Sequence, residues 1–180
     1  MWSKIKSALG LGLGEVEAKM AVDHQDPRKR FAWAILAAFP NANADPAYRP
    51  KFANTALREW YGMNDHDELL ENIDFYIEGT GGTVGYDLYR AVFMARAGFG
   101  AGMLSEAESW DAAFKVIRKL QSTYPSWNEY GRDFLAGTLD YRKESGDDQD
   151  ALDTHRHAVT QNLAELGKTL WSQVPFNTPV

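Results

Sequence analysis

A chain of 180 residues, 44% of them hydrophobic, is long enough to bury one well-formed core. Its net charge of −6, with no run of lysine or arginine to offset it, excludes a general grip on nucleic-acid phosphates. It contains no cysteine, which removes disulfides, thiolate nucleophiles and cysteine-bearing zinc sites and suits a cytoplasmic protein.

Taken in chain order, the first segment, Met1 to Gly14, is set apart as a leader, with residues 15–180 forming one domain. Trp2, Ile5 and Leu9 share a helical face, so the leader reads either as an amphipathic anchor or as a frayed terminus ahead of alternating glycines. The frayed reading is favoured, since termini are poorly ordered unless docked, and membrane contact is not expected. No apolar stretch reaches the roughly 18 to 20 residues that a spanning helix needs.

Phe31, Ile35 and Ala38 then repeat at helical spacing until Pro40, and Asn41 to Pro50 reads as a loop. Phe52, Ala56, Leu57 and Trp60 form the next stripe, ending at Gly62. Asp65 with Glu68, Ser105 with Glu108 and Ser126 with Glu129 each combine a capping oxygen with a glutamate three residues on, predicting three helix starts. Leu152, His155, Val159, Leu163, Leu166 and Leu170 make the last long stripe. No strand-length alternation is found, so the predicted fold is all-α, a single compact multi-helix domain.

Val84 to Ala101 is apolar on nearly every side, which marks a central buried helix. It nevertheless carries Asp87 and Arg90, three apart on one face, and Arg96 away from that face. Two readings remain open. Asp87 and Arg90 form a buried pair that fixes packing, which is favoured, or Arg90 faces a pocket and recognises a carboxylate or phosphate. In the second case Arg96, Trp127 and Glu129 are the further pocket candidates.

No catalytic residue, metal site or cofactor motif emerges. His155 and His157 are two apart and point in different directions on a helix, unlike a metal pair four apart. His155 lies on an apolar stripe and reads as a core histidine with one satisfied nitrogen. Glu106, Glu108 and Glu129 sit in first helical turns, where capping and the helix dipole account for them. Among the aromatics, Trp60, Trp110, Tyr130 and Trp171 fall on core stripes, whereas Trp2 and Trp33 read as exposed anchors for a partner.

Three pieces of the chain carry a resemblance: Leu57-Arg58-Glu59-Trp60-Tyr61-Gly62 with Leu69-Leu70, Tyr86-Asp87-Leu88-Tyr89-Arg90-Ala91-Val92 running on to Ala95-Arg96-Ala97-Gly98-Phe99-Gly100, and Tyr124-Pro125-Ser126-Trp127-Asn128-Glu129-Tyr130-Gly131. With Trp171-Ser172-Gln173-Val174-Pro175-Phe176 closing the order, the chain resembles the domain-of-unknown-function 1266 family from Phe52 to Phe176. It departs from the family pattern in having Tyr86 where tryptophan is usual and in a short segment around Gly79 to Thr83. The resemblance implies a bacterial origin and brings no established activity.

Two functions are therefore expected in order. The first is a bacterial protein-interaction module, of the kind that neutralises an antagonistic toxin, with a basic protein as partner. The alternative is an enzyme acting on a small anionic substrate through a polar pocket around Asp87 and Arg90.

Overall fold

The computed structural model describes residues 12–80 and 82–180, and the leader residues Met1 to Leu11, including Trp2, lie outside them. In chain order the elements are α1 (Leu13–Asp23), α2 (Pro27–Leu36), a 3-10 turn (Pro46–Tyr48) and α3 (Pro50–Thr55), which runs straight into a π-helical turn (Ala56–Trp60). They continue with α4 (His66–Glu78), α5 (Val84–Gly100), α6 (Glu106–Thr123), α7 (Trp127–Glu144), α8 (Gln149–Lys168) and α9 (Leu170–Gln173). Among the described residues there is no strand, and the helices form one all-α domain. None of these helices is long and apolar enough to cross a membrane.

The helix starts follow from their caps. Asp65, Ser105 and Ser126 all sit in extended backbone and accept from the amide three residues on. Only Ser105 completes the reciprocal box, because the Glu108 carboxylate accepts from the Ser105 amide at 2.8 Å. Glu68 reaches one residue further back, to the Asn64 amide at 3.0 Å, and Glu129 turns outward to Arg132 at 2.9 Å. The first helix begins at Leu13, held by Glu15 accepting from the Gly12 amide at 3.1 Å, so it crosses the boundary expected after Gly14.

Helix α5 is the centre of the molecule. From Gly85 to Gly98 every residue but Arg90 is buried, and α4, α6 and α7 pack around it, with α2 laid across α5 and α6. Leu88, Met94, Ile35, Leu69, Ile117 and Phe134 are fully enclosed, each burial contributing about 1.5 to 3 kcal/mol. Two glycines set how closely its neighbours approach. A Cβ on Gly137 would lie 2.6 Å from that of Tyr86, and one on Gly100 would lie 2.5 Å from the Pro46 carbonyl. At both places the absent side chain lets α7 and the 3-10 turn sit against α5.

Two local expectations are corrected. Trp60 is not core but 61% exposed, because the turn carrying it is a π turn. Its wide i→i+5 bond, from the Tyr61 amide to the Ala56 carbonyl at 3.3 Å, takes Trp60 off the α-helical stripe of Phe52, Ala56 and Leu57. The 41–50 segment is not a surface loop throughout, since Asp45 to Tyr48 is buried. Asp45 caps its 3-10 turn by accepting from the Ala47 amide at 2.8 Å.

Candidate functional site: an aromatic cavity beside the central helix

Tyr86, Tyr89, Arg90 and Phe93 follow the i, i+3, i+4, i+7 spacing and so share one face of α5. That face forms one wall of a cavity of about 600 Å³. Opposite it stand Trp33, Leu36 and Phe39 from α2 and the turn after it, then Asn41 to Ala44 and Pro46. Arg49, Phe52, Trp60 and Tyr61 supply a third side, while Tyr76 of α4 and Tyr141 of α7 close the far end. The rings touch in series, with Phe39 against Tyr89 at 5.6 Å, Phe52 against Phe93 at 6.0 Å and Tyr86 against Tyr141 at 5.7 Å. Offset and tilted ring packing of this kind holds its members in place.

The wall opposite α5 is fixed from behind. Asn41 adopts a left-handed φ of 65°, turning the chain after α2. Arg96, which is fully buried, donates from Nε to Asp45 at 2.9 Å and from Nη1 to Ser109 at 3.1 Å, with Asp23 at 3.8 Å. Its guanidinium lies over the Trp110 ring at 3.4 Å. Arg96 therefore ties α1, the 41–49 segment and α6 to α5, and it does not itself line the cavity.

Among the described residues lining the cavity there is no carboxylate, histidine, serine or threonine. Its charged members are Arg49 and Arg90. Burial pushes the Tyr86 hydroxyl up to about 12 and raises Tyr61 and Tyr89 as well. These phenols stay protonated at neutral pH and act as hydrogen-bond donors or ring surfaces, not as bases.

Asp87 and Arg90 do meet, Nη2 to Oδ1 at 2.5 Å, with side chains 2% and 17% exposed. The other Asp87 oxygen accepts from the Thr80 amide at 3.0 Å and the Thr80 hydroxyl at 2.8 Å. Arg90 is sandwiched between Tyr76 at 4.4 Å and Tyr86 at 4.6 Å, and its buried Nε has no partner among the described residues. It lines both the aromatic cavity and a second, more polar one of about 890 Å³ that holds Asp87, Thr80 and Asp140.

The remaining candidates are dispersed. Trp127 lies in the core, stacked on Trp171 at 5.1 Å and donating to the Val174 carbonyl at 2.8 Å. Glu129 is on the surface with Arg132, outside the cavity. Trp33 is half-buried in the cavity wall, stacked on His24 at 6.2 Å. His155 is buried beside Phe39, and its Nε2 has no partner among the described residues. Burial, then the Arg142 charge, lowers its pKa and keeps it neutral. No group of three metal-ligating side chains occurs among the described residues.

Sequence reasoning reached Arg90 and missed Arg49, Phe52, Tyr61, Tyr76 and Phe93 as partners in one cavity. Val84 to Ala101 reads as apolar on nearly every side, which does not single out the face of Tyr86, Tyr89 and Phe93. The rings across from that face come from α2, α3, α4, α7 and the turns beside them, which nothing local in the sequence relates to one another.

The family model described as "Protein of unknown function (DUF1266)" matches residues 76–176, more than half of the chain. The chain belongs to this family. The match begins after Leu57 to Leu70, so that piece of the resemblance lies outside it. It takes in Tyr76 and the α5 wall of the cavity, whereas Trp33 to Tyr61 precede it. No curated protein and no solved structure matches the chain.

Proposed function

We propose that this protein is a non-catalytic binding module that takes a flat aromatic or apolar body into the cavity between residues 41–49, α3 and α5. The observation that carries this reading is the ring-lined cavity itself, about 600 Å³ and so within the range that encloses a small ligand. The absence of a base or nucleophile among its described lining residues supports binding over turnover. The test is titration with 2-naphthol, followed by NMR of the tryptophan indole N–H groups. Saturable shifts at Trp33 and Trp60, with Trp127 and Trp171 still, are expected. No binding, or equal shifts at all four, overturns the reading.

A second reading, the bacterial cytoplasmic interaction module of the neutralising kind, is favoured by one observation. Trp60 and Tyr141 line the cavity while remaining 61% and 49% exposed, and exposed aromatics dominate binding energy at protein interfaces. Loss of capture of a basic partner by Trp60→Ala, with 2-naphthol binding absent from the parent protein, would favour it.

A further inference from the structure

Resting on the ligand-binding reading above, we infer that the aromatic body carries one anionic group and that Arg49, not Arg90, is the side chain that recognises it. The two arginines of the cavity are electrically unlike. Arg90 is neutralised by Asp87 and clamped between two tyrosine rings, so its charge is already met within the protein. Arg49 is exposed on the solvent side of the cavity and has no ion-pair partner among the described residues. Its guanidinium lies over the Phe52 ring at 4.7 Å and donates from Nη1 to the Asn43 side chain at 3.3 Å. It is thereby set in place with most of its donors free, which lowers the entropy lost when it pairs with a ligand.

Nearby acids do not compensate it. Asp45, four residues earlier, is buried and committed to Arg96 and to the Ala47 amide. A protein of net charge −6 thus presents, at this cavity, an uncompensated cation beside aromatic rings. A cationic ligand would meet Arg49 at close range with no carboxylate lining the cavity to attract it. A neutral ring would leave the guanidinium unused. A ring bearing a carboxylate satisfies both halves, with its flat body against Phe52 and Phe93 and its oxygens on the fork of Arg49.

The experiment compares three probes on one ring system in the full chain: 2-naphthoate, 2-naphthol and 2-naphthylmethylamine. 2-Naphthoate should bind about tenfold more tightly than 2-naphthol, the usual gain of one charge-assisted contact, and the amine more weakly than either. Arg49→Gln should bring 2-naphthoate affinity down to that of 2-naphthol measured in the same variant, Arg49→Lys should keep part of the preference, and added salt should reduce it in the parent protein. Equal binding of 2-naphthoate and 2-naphthol overturns this inference and leaves the ligand-binding reading standing. If none of the three probes binds, that reading falls and this inference with it. A preference that survives Arg49→Gln but disappears in Arg90→Gln assigns the anion to the wrong arginine and also overturns it.

Discussion

Asp87 has more of its hydrogen-bonding capacity met than Arg90 does. One carboxylate oxygen takes Arg90 and the other takes two donors from Thr80, so this single side chain pins the segment before α5 as well as the guanidinium. Replacing it leaves a largely buried cation and two Thr80 donors without their acceptor. Asp87→Ala should therefore cost about 3 to 5 kcal/mol, the range for breaking a buried pair from one side. Arg90→Ala should cost less, since its side chain retains some solvent and removal leaves Asp87 still bonded to Thr80. An Asp87→Leu/Arg90→Met double variant should recover much of the loss. Denaturant unfolding of the three variants measures the coupling, and small additive effects would show that the pair is not structural.

At the scale of elements, α4 and α6 are joined at the surface by His66, which bonds Asp67 at 2.7 Å and Glu108 at 2.8 Å. These two bonds, that to Asp67 first, raise the His66 pKa above its ordinary 6.5. Glu108, bonded to Ser105 and then to His66, is brought down to about 2 from 4.5. The histidine contribution is fully present below pH 6.5 and lost as pH rises through the raised folded value, while that of Glu108 is present above 4.5 and lost as pH falls towards 2. Both act together between those limits. The stability difference between the parent protein and His66→Gln should be largest near pH 5.5 and shrink towards pH 8, read as the urea midpoint at each pH. A difference that stays flat from pH 5 to 8 would mean that the clamp does not operate. The caps at both ends of this clamp were legible in the sequence, because Asp65 and Ser105 act on amides only three residues away. His66 meeting Glu108 was not, since nothing local relates residues on different helices. Trp60 was misplaced for a different reason: stripe analysis assumes one period along a helix, and the period changes at Ala56. Of the cavity, Arg90 alone was legible as a pocket residue, because a helix apolar on nearly every side does not show which face is left open. The facing wall depends on how α2, Asn41 to Arg49 and α3 fold back on it.

Across the whole molecule, order falls off from α5 outwards. α5 is enclosed by its neighbours, whereas α1 rests on a small separate cluster of Val16, Ala47 and Tyr48, with Val22 facing solvent. Local opening takes least free energy where few apolar contacts are lost. Amides of α1 should exchange with solvent well before those of α5, whose protection should approach the global unfolding limit, as read by native-state hydrogen exchange. Equal protection would show that α1 is part of the main cooperative unit. The stretch from Trp33 to Tyr61 lies between these extremes, held to the core by Arg96 and Leu57 while one side lines the cavity. The π turn at its end has a consequence at the level of the gene. Deleting one codon within Ala56–Trp60 would turn the i→i+5 bond into an ordinary i→i+4 one and remove the extra residue that the π turn accommodates. The side chains within the turn, Trp60 among them, would be re-aimed, so a single-codon deletion would recast what the cavity admits without touching any residue of α5.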